Sequence, residues 1–99
     1  MADKVRASHI LVSTDGRDKE TALAAINDIK SKVDGGEAFA DLAREHSDCP
    51  SGADGGDLGA FGRGAMVAEF DKAAFELDVD KVSDVVETAF GYHIIHRTE

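Results

Sequence analysis

The amino-acid sequence predicts an α+β fold in which helices pack against one sheet. Segments rich in branched and aromatic residues, typical of strands, lie near both ends of the chain at Val5–Val12 and Tyr92–Arg97. The sequence between them carries apolar residues at helical spacing. A chain of 99 residues suits a single domain with one modest core, which we expect to span residues 1–99. The first and last strands must then lie close together in one sheet.

The first strand, Val5–Val12, ends at a turn over Ser13–Gly16. Because side chains alternate along a strand, Ala7, His9 and Leu11 share one face of the sheet and the residues between them share the other. His9 is therefore predicted to lie in mid-strand, among apolar neighbours.

Two helices are predicted to follow this strand. Asp18 has the position of an N-cap, and Gly35-Gly36 ends the first helix because glycine readily takes the left-handed conformation beyond a helix. The second helix is expected to stop near Ser47. Each helix has an apolar stripe: Ala22, Ile26, Ile29 and Val33 in the first, and Phe39, Leu42, Ala43 and His46 in the second.

Residues 48–64 form a glycine-rich loop that holds six of the ten glycines in the chain. A small domain keeps so many ordered residues in a loop mainly for function. We expect a short strand around Leu58–Phe61 inside this loop. The remaining predicted elements are a helix with its apolar face at Phe70, Ala73, Ala74 and Leu77, an extended segment at Val82–Thr88, a turn at Ala89–Gly91 and the final strand.

Composition limits the classes of partner. The net charge of −9 opposes binding to nucleic acid or to an anionic membrane. Apolar runs are far shorter than the ~20 residues that cross a bilayer, and the N-terminus carries no apolar leader, so we expect no membrane insertion and a cytoplasmic location. The single cysteine, Cys49, suits a reducing compartment and forms no internal disulfide. A monomer is the expected state.

The histidines have structural and functional interpretations. His9 and His93 lie in predicted strands, where a histidine more often orders the sheet through a hydrogen bond than carries chemistry. His96 follows His93 by three residues, so a regular strand places the two on opposite faces. His46, on the stripe of the second helix, is expected to be packed or solvated.

Cys49 also has more than one interpretation. Free cysteine is often a small buried apolar residue, and a Cys/His hydrolase is the sharper alternative. The sequence around Cys49 shows no protease signature. His46 and Cys49 together offer two metal ligands, with no second pair to complete a tetrahedral site.

Large apolar residues near the glycine-rich loop predict a shallow binding pocket. Phe70 fits the helical stripe, whereas Leu58, Phe61 and Met66 have glycine neighbours and no shared helical period. An apolar pocket at the edge of the loop explains them better, and such a pocket suits a proline ring.

Five segments, taken in order, resemble one protein family. They read ASHILV at 7–12, SDCPSG at 47–52, GDLGAF at 56–61, GAMVAEF at 64–70 with AAF at 73–75, and FGYHII at 90–95. Each is weak alone, but together they cover nearly the whole chain with family-like spacing. The chain resembles the parvulins, a family of peptidyl-prolyl cis/trans isomerases.

The resemblance implies a four-stranded antiparallel sheet surrounded by helices, in the order β-α3-β-α-β2. It implies isomerase activity on proline-containing segments of other proteins, assisting folding, without a cofactor or metal. By position, the catalytic residues are His9 and His93 as a central pair, Cys49 as the active-site cysteine (an Asp in some members) and Thr88 as a hydroxyl bonded to the pair. The substrate-binding residues are Leu58, Met66 and Phe70 in the proline pocket, Ser51 and Phe61 along the site, and Phe90 at the rim, where some members have Ser.

The loop after the first strand departs from the phosphate-directed members of this family, which carry a basic loop there. Here its one basic residue, Arg17, is flanked by Asp15 and Asp18, so we expect no preference for a phosphorylated residue before proline. The nearest alternative function is a non-catalytic proline-binding or chaperone module. A Cys/His hydrolase and a purely structural protein are further rivals.

Overall fold

A computed structural model describes residues 4–99. Residues 1–3, on which the predicted absence of a leader partly depends, lie outside this range. In chain order the elements are β1 (Lys4–Ser13), α1 (Lys19–Asp34), α2 (Phe39–His46), a 3₁₀ helix (Pro50–Asp54), β2 (Asp57–Gly62), α3 (Ala68–Glu76), β3 (Val86–Thr88) and β4 (Gly91–Arg97).

The four strands form one antiparallel sheet in the order β2-β1-β4-β3. The first and last strands are thus central neighbours, as the sequence predicted. In their register His9 is opposite Ile95 and Leu11 is opposite His93. His9 and His93 are therefore diagonal neighbours on the same face, close enough for their side chains to meet.

Alternation of side chains along β1 and β4 gives the sheet two apolar layers. On one face α1 and α2 cover a cluster that includes Ile10, Ile26 and Ile94. On the other face α3 covers a cluster that includes Phe70 and Ile95. His93 points to the α3 face, whereas the ring of His96 lies 5.4 Å from that of Phe39 on the opposite face, as predicted.

Local signals set the ends of α1. The Asp18 side chain accepts a hydrogen bond from the Thr21 N–H at 2.8 Å, as expected of an N-cap. At the other end Gly36 has φ +99°, the left-handed conformation that ends a helix. Both predicted ends of this helix are confirmed.

The glycine-rich loop is held against β1 at Gly56. Its carbonyl accepts the His9 N–H at 2.9 Å. With φ +86° and no room for a Cβ beside the His9 carbonyl oxygen, this position requires glycine. The residue patterns did not indicate the 3₁₀ helix that begins at Pro50 in this loop, whereas the element order implied by the resemblance has a third helix before the second strand.

The extended segment predicted at Val82–Thr88 is a regular strand only from Val86. Val82 forms an isolated bridge to His96. Between them the Ser83 hydroxyl, rather than a backbone carbonyl, accepts the Ile95 N–H at 3.0 Å. This side-chain bond interrupts the ladder and explains why the strand is shorter than predicted.

Candidate active site

A cavity of about 460 Å³ opens on the α3 face of the sheet. Its wall is mostly apolar and combines β1, the glycine-rich loop, the start of α3 and the turn before β4. Among the described residues 4–99, Asp48 is the one lining residue of an acidic or basic type, apart from the two histidines. The lining residues are His9, Leu11, Asp48, Cys49, Pro50, Leu58, Ala65, Met66, Val67, Phe70, Phe90 and His93.

Seven of the ten site residues expected from the sequence lie on this wall: His9, Cys49, Leu58, Met66, Phe70, Phe90 and His93. Ser51 and Thr88 lie behind it, hydrogen-bonded to the two histidines. Phe61 does not line the cavity, contrary to expectation. It is buried beneath the wall, with its ring 6.1 Å from that of Phe70 and 6.0 Å from that of Phe75, because its position in β2 points it into the α3 core.

The two histidines form a buried pair at the back of the cavity. Their Nδ1 atoms lie 3.1 Å apart, and their rings are nearly parallel at 18°. The ring of Phe70 meets both imidazoles edge-on, at centroid distances of 5.4 Å and 5.5 Å. Burial lowers the pKa of His9 to about 4, with His93 adding to the effect, and burial alone lowers the pKa of His93 to about 4. Both rings are therefore neutral at pH 7.

Hydrogen bonds extend from this pair to both sides. On one side Thr88 Oγ1 lies 2.7 Å from His93 Nε2 and accepts the Phe90 N–H at 3.2 Å. On the other side His9 Nε2 lies 3.2 Å from Ser51 Oγ, which in turn lies 3.2 Å from Cys49 Sγ. One continuous network thus joins the turn before β4 to the cysteine.

Neutral imidazoles give this network a direction. In one arrangement every hydroxyl and every ring N–H has an acceptor: the Thr88 hydroxyl donates to His93 Nε2, His93 Nδ1–H to His9 Nδ1, His9 Nε2–H to Ser51 Oγ, and the Ser51 hydroxyl to Cys49 Sγ. In the reverse arrangement Thr88 Oγ1 would accept two hydrogen bonds, and its own buried proton would have no acceptor in the network. The first arrangement is favoured, and it directs a hydroxyl dipole at the sulfur.

Cys49 is positioned by bonds between its neighbours and β1. The Ser47 hydroxyl accepts the Leu11 N–H at 3.2 Å, and the Asp48 N–H donates to the Leu11 carbonyl at 2.8 Å. The Asp48 carboxylate accepts the Ser13 N–H at 2.9 Å. The same carboxylate oxygen accepts from Arg17 at 2.9 Å, although the sequence suggested Asp15 and Asp18 as the neighbours that offset this arginine.

Sequence reasoning missed five lining residues: Leu11, Asp48, Pro50, Ala65 and Val67. Leu11 could have been found, since it shares the face of His9 in β1. Asp48 and Pro50 flank Cys49 and were within reach of the same motif. Ala65 and Val67 flank Met66 in the segment GAMVAEF and were within reach in the same way, although their place on the wall depends on how α3 meets the sheet.

The comparison with known families agrees with this geometry. The family described as "Rotamase: PPIC-type PPIASE domain" matches residues 9–99. The chain belongs to the parvulins, the PPIC-type peptidyl-prolyl isomerases. Both the family expected from the sequence and its four-stranded antiparallel fold are thereby confirmed.

This chain is similar to individual parvulins over nearly its whole length. The chain is 52% identical to the foldase protein PrsA of Geobacillus kaustophilus, and the match covers 97% of this chain and 32% of the relative. It is 38% identical to the peptidyl-prolyl cis-trans isomerase Pin1 of Digitalis lanata, covering 98% of each. The solution structure of NmPin, the parvulin of Nitrosopumilus maritimus, has 43% identity and a TM-score of 0.74, covering 100% of this chain and 99% of the other. The chain thus spans about a third of the foldase relative and nearly all of the two small ones.

Residues 4–99 contain no cluster of three or more His, Cys, Asp or Glu side chains arranged to hold a metal ion. None of the helices in this range has the length and apolar character needed to cross a membrane.

Proposed function

We propose that this chain accelerates cis/trans isomerisation of X-Pro bonds in flexible protein segments, without requiring a phosphate before the proline. The observation that carries the proposal is an apolar cavity backed by a buried, internally satisfied polar network that ends at Cys49. Family membership supports the reaction, and the architecture of the cavity supports the choice of substrate.

The reaction needs a site that binds a twisted amide. Rotation about the X-Pro bond meets a barrier of roughly 18–20 kcal/mol, because the planar amide has partial double-bond character. In the twisted state the nitrogen becomes pyramidal and the oxygen loses negative charge. A site that binds this state more tightly than either planar form accelerates the reaction. A water-poor apolar wall favours it, since the planar amide is the more charge-separated form.

The wall residues have separate roles in this proposal. Leu58, Met66 and Phe70 hold the proline ring, and Cys49 faces the carbonyl side of the bond. His9 and His93 are positioning residues, which fix each other's tautomers and aim the Ser51 hydroxyl at the sulfur. Protons need not travel through the pair, because rotation about the amide breaks and forms no bond to hydrogen.

The surroundings of Arg17 support phosphate independence. Its guanidinium is 2.9 Å from the Asp48 carboxylate, which neutralises the one basic residue of the loop after β1. A phosphorylated side chain would have to displace this carboxylate while approaching a chain with a net charge of −9. Recognition of a dianion ordinarily uses a cluster of arginine or lysine side chains.

We also propose that the domain, residues 1–99, acts as a monomer in the cytoplasm on unfolded or flexible clients and binds no nucleic acid. The acidic charge and single cysteine support this proposal. Sedimentation at increasing protein concentration tests the monomer, and a mass that rises with concentration would contradict it.

Exchange spectroscopy on short X-Pro peptides, with X alanine, glutamate or phosphoserine, tests the activity and its independence of phosphate. We expect the chain to accelerate exchange of the alanine peptide. We expect its acceleration of the glutamate and phosphoserine peptides to be no greater than that. Binding shifts without faster exchange for any peptide would favour the proline-binding module instead. A gain for phosphoserine would contradict the proposed substrate class.

A further inference from the structure

Asp48 places an acidic residue on a wall that is otherwise formed by apolar residues, Cys49 and two neutral histidines. Its side chain is 34% exposed, and the residue is among those that line the cavity, next to Cys49 in the chain. Three bonds fix its position: its N–H donates to the Leu11 carbonyl, and its Oδ2 accepts both the Ser13 N–H and the guanidinium of Arg17. We expect a charge held this firmly at the wall to act on the residue that flanks a bound proline.

Arg17 offsets this charge only in part. Its guanidinium bonds the carboxylate from the side of the loop after β1 and is not itself among the residues that line the cavity. We therefore expect a bound peptide to lie nearer to the carboxylate than to the arginine. The electrostatic potential at that position is then negative, like the nearer carboxylate, because Coulomb energies fall with distance.

We propose that Asp48 is a specificity-determining residue, which favours substrates with a basic residue beside the proline and disfavours acidic ones, and that Arg17 sets the strength of this preference. The inference rests on the proposed function and deepens it, since it names the charge class of the preferred substrate. It also gives the phosphate independence a cause inside the cavity rather than in the bulk surface alone.

The expected size of the preference is modest. Partly exposed charge pairs usually contribute less than about 1 kcal/mol, which corresponds to about a five-fold change in a rate ratio. We expect the kcat/KM of a Lys-Pro peptide to exceed that of a matched Glu-Pro peptide by about two- to five-fold at low salt. The ratio shrinks toward one in 0.5 M salt, because the ions screen exposed charges.

Two variants test the inference through this ratio, which is independent of the overall rate of each variant. Asp48→Asn keeps an oxygen for the Ser13 N–H but removes the charge and releases Arg17, so the Lys/Glu ratio falls to one or below. Arg17→Gln leaves the carboxylate less neutralised, so the ratio rises above that of the wild-type chain. If Asp48→Asn fails to fold, Arg17→Gln still decides the sign.

The pair formed by Asp41 and Arg44 provides a matched control. It is an ion pair of similar length, 3.0 Å, exposed on α2 and absent from the cavity wall. Asp41→Asn and Arg44→Gln change the net charge by the same amounts as the two test variants. We expect both controls to keep the wild-type Lys/Glu ratio, because they change the bulk charge and leave Asp48 in place.

The measurement is kcat/KM for Lys-Pro, Ala-Pro and Glu-Pro peptides, with all five chains at two salt concentrations. A wild-type ratio of one, or an equal change in the control and test variants, would overturn the inference while leaving an active isomerase. No acceleration of any peptide by the wild-type chain would overturn the proposed function, and this inference with it. Opposite shifts in Asp48→Asn and Arg17→Gln, with unchanged controls, would support it.

Discussion

The two faces of the sheet, both built on β1 and β4, have different side chains and different roles. The face under α1 and α2 is filled by side chains such as Ile10, Ile26 and Ile94, all fully buried. The face under α3 has a similar apolar layer but also contains the buried imidazoles of His9 and His93, 5% and 4% exposed. Because side chains alternate along a strand, adjacent residues can contribute to stability on one face and to function on the other.

The functional face tolerates polar groups because they bond to one another. Burying an unpaired polar group costs on the order of 1–3 kcal/mol, whereas a satisfied network avoids that cost. Each ring nitrogen of His9 and His93 has a partner within 3.2 Å. The face under α1 and α2, whose polar members include Tyr92 and His96, is packed mainly by aliphatic side chains, so its stability should depend mainly on how well they fill the volume.

Substitutions at the adjacent residues Ile94 and Ile95 test this comparison with the largest expected effects. Both are fully buried but point to opposite faces. Replacing either by alanine should lower the free energy of unfolding by about 2–5 kcal/mol. Only Ile95→Ala should also lower kcat/KM of the folded protein, because Ile95 packs in the cluster that supports Phe70.

Urea titration and peptide exchange on the same samples check this prediction. Ile94→Val and Ile95→Val are milder versions, with an expected loss of about 0.5–1.5 kcal/mol, in case an alanine variant does not fold. Equal effects of the two substitutions on activity would contradict the division of labour between the faces.

Met66→Ala tests the cavity itself. Loss of a side chain that contacts the proline ring should reduce kcat/KM by about 10- to 200-fold, the usual range for a shortened apolar contact in a binding pocket. Stability should change less, since Met66 lines an open cavity rather than the closed core. Leu23→Ala on α1, where the side chain is 38% exposed, is the matched apolar control. Unchanged turnover in Met66→Ala would mean that the proline binds elsewhere.

The histidine pair predicts how stability depends on pH. Each imidazole has a pKa of about 4 in the fold and 6.5 when unfolded, so the unfolded chain binds more protons between these values. Stability is then fully present above pH 6.5 and is lost as the pH falls toward 4, by at most about 1.4 kcal/mol per pH unit for each ring.

Urea titrations at half-unit steps between pH 7.5 and 4.5 measure this slope. His93→Phe removes one of the two titrating rings and should give a shallower profile. A wild-type profile that is flat across this range would show that the rings do not resist protonation in the folded state.

Cys49→Ser should have the smallest effect on activity. Serine retains an oxygen at the end of the network, and the proposed mechanism uses no bond to sulfur. We expect kcat/KM to remain within about ten-fold of the wild-type value, whereas loss of a covalent nucleophile costs several orders of magnitude. A loss of that size in a folded Cys49→Ser protein would favour the covalent mechanism.

Much of the fold could be predicted because its signals are local. Asp18 and Gly36 mark the ends of α1, and alternation in β1 assigns His9 to a face before any partner is known. The histidine pair was predicted by the family resemblance, since no local pattern indicates that residues 84 positions apart will meet.

The features that the sequence did not predict depend on contacts between distant segments. The bond from Arg17 to Asp48 spans 31 positions, so the nearer Asp15 and Asp18 were the natural partners to expect. Phe61 was placed in the site by its position in the glycine-rich loop, yet β2 turns its ring into the core. Which side of a bulged edge strand faces a cavity depends on register, which a single sequence leaves open.

The most direct test of the proposed site combines exchange and chemical-shift mapping in one NMR titration with an Ala-Pro peptide. We expect faster cis/trans exchange of the peptide together with shifts confined to amides near Cys49, Met66 and Phe90, which lie on three of the segments that form the wall of the cavity. Faster exchange with shifts centred on α1 and α2, or shifts at the cavity with no gain in exchange, would contradict the assignment of catalysis to this site.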